Sequence, residues 1–177
     1  MARQLQRAAL ALAFCLLAAC TYDSDENDSV FRHLSIAGNG DVIVHAHDGT
    51  NARISAAGDL EIGNKHAAVN PVQRGLLKAY HDDALFLRDD AVATGKAGAR
   101  TGLTAIGAVA SGLANGDPDS IDSKVKPEAD KVDALAQAVC RDLGKLHAAQ
   151  EKLVAAVPSF RPYATIESHE VSDCDGG

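Results

Sequence analysis

Between residues 132 and 157 the side chains at Val132, Leu135, Val139, Leu143, Leu146, Gln150, Leu153 and Val157 recur at steps of three and four. That period places all eight on one side of an α-helix, in a nearly heptad seam with Gln150 as its one polar member. Pro127 suits the first turn of such a helix and Pro158 ends it. A helix with one long apolar seam must bury it against another element.

One other stretch has the length to receive it. Asn70 is a favourable cap and Pro71 suits the first helical position. Val72, Leu76, Tyr80, Ala84 and Leu87 then recur at three or four residues, and the pattern runs on to the terminator NGDP at 115–118. Two such helices joined by a short linker predict an antiparallel helical hairpin over residues 69–166. Unbroken, the first helix would be about 65 Å long at 1.5 Å per residue. A bend or break is expected near residues 95–102, because each glycine in a helix costs roughly 1 kcal/mol.

The glycine-rich segment, residues 95–116, includes sixteen uncharged residues from Thr101 to Gly116. Gly98 and Gly102, and again Gly112 and Gly116, have the four-residue spacing that lets helices touch closely. Leu103, Ile106, Val109 and Leu113 supply the bulk and fall on one helical face. Sixteen residues fall short of the roughly 20 that span a bilayer. One-sided apolarity predicts a helix that packs, within the protein or in an oligomer, ahead of one that meets or crosses lipid.

Residues 31–68 follow a different period. Asn39-Gly40, Asp48-Gly49 and Gly58-Asp59 are tight-turn signals, since these residues tolerate positive φ. Between them apolar residues alternate: Leu34 and Ile36, Val42 and Val44, Ile54, then Leu60 and Ile62. Alternation gives each strand one buried and one wet face. The run Gly40-Asp41-Val42-Ile43-Val44 reappears eighteen residues on as Gly58-Asp59-Leu60-Glu61-Ile62, which predicts two related hairpins in a small antiparallel meander. Such a sheet needs cover on one face. The fold class expected is α+β, the meander packed on the helical hairpin. Aromatic residues are 4% of the chain and there is no Trp, so alanine supplies much of the core.

The N-terminus addresses the location. MARQLQR is basic, AALALAFCLLAA is an apolar run of signal-peptide length, and Cys20 follows. Leu17, Ala18, Ala19 and Cys20 resemble the lipobox of bacterial lipoproteins. That resemblance implies removal of residues 1–19, acylation of Cys20, and anchoring to a bilayer at the periplasmic face of the cell envelope. By resemblance to enterobacterial sorting rules, Thr21 rather than Asp after the cysteine implies the outer membrane over the inner. Residues 20–30 then read as the lipidated Cys and an acidic tether. Loss of Arg3 and Arg7 leaves 15 basic against 24 acidic residues, a net charge of −9. That balance argues against nucleic acid as a partner. Of the four cysteines, Cys15 leaves with the signal and Cys20 carries lipid. Cys140 and Cys174 remain in an oxidising compartment, either as a disulfide or as two separate thiols. Residues 167–177 are expected to be a flexible tail, with Phe160, Tyr163 and Ile166 folding back on the core before it.

No motif of catalysis is present. No serine sits in a nucleophile elbow, no glycine loop completes a phosphate fingerprint, and neither remaining cysteine has an adjacent His or CxxC partner. The expectation is a protein that is not an enzyme and has no cofactor. His45 and His47 alternate on a strand and point to its wet face, with His33 or His66 as possible neighbours. Two imidazoles can begin a metal site, but zinc takes three or four ligands. His45 and His47 are therefore candidates for a metal or small-ligand site, and otherwise a polar surface. The run HDD at 81–83 reads as a solvated helix face.

The order of these features resembles a known group: a signal or lipobox, strands with Gly-Asp turns, Gln73-Arg74 with Tyr80 on a helix, a glycine-rich segment, Val139-Cys140 with Leu143, Leu146, Gln150 and Leu153, and the ending PSFRPYA at 158–164. It is similar to the YggN-like proteobacterial envelope proteins, over about residues 34–166. The resemblance implies an envelope protein of uncharacterised activity and brings no catalytic residues. In relatives an N-terminal cysteine can partner the one in the Val-Cys pair, whereas here Cys20 lies in a lipobox. The partners expected are the bilayer, through acylated Cys20, and an envelope protein or a second copy of the chain.

Overall fold

A computed structural model of the protein describes residues 30–117 and 120–175. The expected signal peptide, the lipidated Cys20, the tether up to residue 29 and the linker residue Pro118 lie outside the described residues.

A single helical turn, α1 (Val30–His33), leads into five strands: β1 (Leu34–Ile36), β2 (Val42–His45), β3 (Asn51–Ile54), β4 (Leu60–Ile62) and β5 (Lys65–His66). They form one antiparallel sheet in sequential order. Three of its turns are the same device. Gly40, Gly49 and Gly58 take φ of 91°, 82° and 78°. Each donates its N–H to the carbonyl three residues back, that of Ala37, Ala46 or Ser55. Those three residues in turn donate across the turn to Asp41, Thr50 and Asp59. The pattern is a tight turn closed by a left-handed glycine, the form that joins short twisted strands. The repeat unit is thus nine residues. Nine is odd and the side-chain period of a strand is two, so inward positions flip from one unit to the next. Val42 and Val44 point in, then Ala52 and Ile54, then Leu60. The sequence shows its likeness only at eighteen because that is the first even multiple.

The sheet is covered by an antiparallel pair of long helices, α2 (Pro71–Asn115) and α3 (Ser120–Ala156). The fold is α+β, as expected. Asn70 and Gln73 form a reciprocal capping box at the start of α2. Gln73 Nε2 also donates to the Ala156 carbonyl (2.7 Å), tying the start of α2 to the end of α3. The break expected at residues 95–102 does not occur. α2 runs for 45 residues, about 68 Å at 1.5 Å per residue, to a left-handed Gly116 cap. Helix α3 begins at Ser120, not Pro127, and carries Pro127 within it. Such a proline forfeits one backbone bond. The two turns before it are held by the end of α2: Ile121 packs on Gly112, and Lys124 Nζ donates to Ser111 Oγ (3.2 Å).

The core lies at the sheet end of the hairpin. Val42, Val44, Ala52, Ile54 and Leu60 meet Leu77, Tyr80, Ala84 and Leu87 of α2 and Leu143, Leu146 and Leu153 of α3. Val72, expected in the α2 seam, is exposed, and Leu77 takes the inward place. His81, expected on a wet face, is buried, and its Nε2 donates to the Gly40 carbonyl (3.0 Å), joining α2 to the first turn. A 3₁₀ helix (Pro158–Tyr163) brings Phe160 edge-on to Tyr80 at 5.5 Å. Gln150, the polar member of the α3 seam, is buried, and its side-chain amide pairs with both the N–H and the carbonyl of Ile166. Both backbone groups would otherwise be stranded without water. Residues 168–175, expected within a flexible tail, form helix α4 (Ser168–Asp175). A disulfide between Cys140 and Cys174, Cα atoms 5.4 Å apart, fastens α4 to α3.

Candidate interaction face on the glycine-rich helix

Beyond Leu87 the sheet no longer covers α2, and the helix has two distinct faces. The face toward α3 carries Asp90, Thr94, Ala97, Thr101, Thr104, Ala108 and Ser111, stepping by four and three. Its members are small or polar, and only Ala97 and Ala108 among them are fully buried. The opposite face carries Val92, Gly95, Ala99, Gly102, Ile106 and Val109, again by three and four, and the same steps reach Leu113 in the sequence. Leu103 lies at its margin. Ile106 is 71% exposed, Leu103 72%, Val92 47% and Val109 45%. The larger apolar residues of this half of α2 therefore face outward and the smaller ones inward. That inverts the usual order, in which bulky side chains go to the core.

Gly95 and Gly102 belong to that outward face, and Gly98 and Gly107 lie on its two flanks. A Cβ built on Gly95, Gly98, Gly102 or Gly107 would meet no atom within 4 Å. Packing within the protein, one of the two roles expected for them, is seen only at Gly112, whose Cβ position lies 3.0 Å from Ile121 and 3.1 Å from the Asp117 carbonyl. The other four are notches in an open surface, beside exposed Leu103, Ile106 and Val109. The periodicity of Leu103, Ile106 and Val109 was readable in the sequence. Which way that face points was not, because both faces of the segment step by threes and fours.

Among the described residues no helix is long and apolar enough to cross a membrane. The shallow groove of about 270 Å³ between α2 and α3 is lined by Leu76, Ala79, Asp83, Lys145, Ala149 and Lys152. Partial burial there raises the Asp83 carboxyl above its ordinary range, against the pull of Lys145. Lys145 itself is bonded to Asp142 at 2.7 Å. Its polar lining is one carboxyl, Asp83, and two ammonium groups, Lys145 and Lys152.

The histidine face is built differently from a metal site. His45 Nδ1 faces the Asn51 amide oxygen (2.8 Å) and Nε2 the Ser35 hydroxyl (2.9 Å), so both ring nitrogens are engaged. His33 does approach, its ring tilted at 56° to that of His47 with centroids 4.6 Å apart and its Nδ1 donating to the His45 carbonyl (2.9 Å). His66 stands apart on β5 beside Glu61. Among the described residues no three such side chains converge on one point that could hold a metal. No family model, curated protein or solved structure matches this chain.

Proposed function

We propose that this protein is a lipid-anchored envelope protein of the YggN-like kind its sequence resembles, with a non-catalytic, interaction or structural role. The observation that carries the interaction role is the outward face of α2: bulky Leu103 and Ile106 stand in solvent while alanines fill the contact with α3. A bare apolar patch rimmed by polar surface is the mark of a docking site. The glycines bear on what docks. Each costs roughly 1 kcal/mol of helix stability, and the fold regains nothing from four of them. A second helix laid against them would, because the missing Cβ atoms allow close approach of backbones. Lipid would gain less from exposed glycine backbone than from bulkier side chains. The anchor at Cys20 would confine the protein to a membrane plane, where even a weak lateral contact is favoured by concentration.

The test has two arms. Labelling cells with an alkyne fatty acid should mark the chain and not the Cys20→Ser variant. A photocrosslinking residue at Ile106 should give discrete adducts in the envelope, while one at Lys131, on exposed α3, should not. Unlabelled Cys20, or equal adducts from both positions, would contradict the reading.

A further inference from the structure

The docking face is one end of a longer seam. Positions 77, 81, 84, 88, 92, 95, 99, 102, 106, 109 and 113 step by four and three without interruption. Leu77, His81 and Ala84 of this seam are buried at the sheet end, and from Arg88 to Val109 it is bare. Whatever covers the rest continues an interface that the sheet begins. We propose that it is the same stretch of a second copy, lying antiparallel, with the two-fold axis at position 104. This rests on the reading of the outer face as a docking site.

The seam is asymmetric along its length in a way that answers itself. Its first part holds Gly95, Ala99 and Gly102, and its second Ile106, Val109 and, in sequence, Leu113. Reversing a second copy about position 104 sets Gly102 opposite Ile106, Ala99 opposite Val109, and position 95 opposite position 113. Every large residue meets a small one, the complementarity that knobs and holes require. Leu103 of each copy flanks the axis. Lys96 and Arg100 come level with the partner's stretch Thr101 to Gly116, which carries no charge, so no like charges of the two α2 helices meet. The ends match too. Gly116 and Asp117 of the partner reach positions 92 and 91, just beyond Leu87, the last α2 residue of the central core. The sheet therefore acts as a stop for the partner's tip and fixes the register. A parallel pair fails on both counts. It sets small against small and large against large, and it brings two sheets to the same end.

The test uses the full chain, purified in detergent, with single cysteines at Ala99 or Val109. On mixing the A99C and V109C chains under an oxidant, crosslinked dimers should form above the background of the unvaried chain. Neither variant alone should give them. Gly102→Leu, added to both, should weaken the crosslinking at least about tenfold, which is roughly 1.4 kcal/mol. At a dilution where both chains are monomeric, its melting temperature should stay level or rise, since Gly102 has open space in the monomer. Crosslinking of A99C or V109C with itself, or none in the mixture, would overturn the proposal. If Ile106 gives envelope photoadducts of another mass while the cysteine mixture stays unlinked, the face is a docking site for a different partner. If phosphatidylethanolamine–phosphatidylglycerol vesicles abolish the crosslink, and float the unvaried protein but not Ile106→Lys, the occupant is lipid and the self-pairing is wrong.

Discussion

Single residues fix the sheet to the helices, and Gly58 is the sharpest case. Its φ of 78° is in the left-handed region. A Cβ there would sit 2.4 Å from the Arg74 carbonyl oxygen of α2. Next to it, Asp59 pairs with the Arg74 guanidinium, which holds its carboxyl below the usual carboxylate range. Gly40 and Gly49 share the conformation but have open space around them. Gly58→Ala should therefore cost the left-handed strain of roughly 1–2 kcal/mol and a steric term besides. Gly40→Ala and Gly49→Ala should cost the strain alone. Denaturant unfolding of the three variants checks this, and equal losses would mean that the turn does not press on the helix. The turns were legible in the sequence because glycine at positive φ is a local matter. That Gly58 also touches α2 depends on residues sixteen positions away, and no local pattern carries it. Gln150 teaches the same lesson. Its place in the seam was readable, but its pairing with the Ile166 backbone required the tail to be placed first.

At the scale of elements, both long helices were legible from their periods, and their details were not. The three glycines between residues 95 and 102 suggested a break, yet α2 is continuous, because α3 runs alongside it as a template. The apolar seam of α3 begins at Val132, so the pattern gave no reason to start that helix before Pro127. Its first turns are instead held by polar and small contacts at the hairpin tip. Between the helices, Asp83 offers a pH test. Burial is the main cause that raises its carboxyl above the ordinary 3.8, helped by Asp142 and Asp82 and opposed by Lys145 and Lys152. An acid with a raised folded pKa is a burden on the fold once the pH exceeds its unfolded value, and none below it. Asp83→Asn should therefore raise the melting temperature at pH 7, with the gain fading as the pH falls through the ordinary carboxylate range. A gain of the same size at pH 3 would show that the substitution acts through packing.

For the whole molecule, the sheet and the core are gathered at one end, and the other end is a two-helix arm in which α2 turns Leu103, Ile106 and Val109 outward. The compositional reading of the arm as a one-faced helix was sound, but the sequence alone could not say whether that face was already in use. The structure assigns α3 to the opposite face, and so the arm's outer seam is surplus to the fold. The most direct test joins stability and association in one variant. Ile106→Lys, in the full chain and in detergent, is compared with the unvaried protein by thermal unfolding at a dilution where both are monomeric and by analytical ultracentrifugation at higher concentration. An exposed side chain that the fold does not use should change stability by no more than about 0.5 kcal/mol, a shift of a few degrees at most. The self-associated species should disappear. A large drop in melting temperature would mean that the seam belongs to the monomer's core, and undiminished association would mean that the contact lies elsewhere.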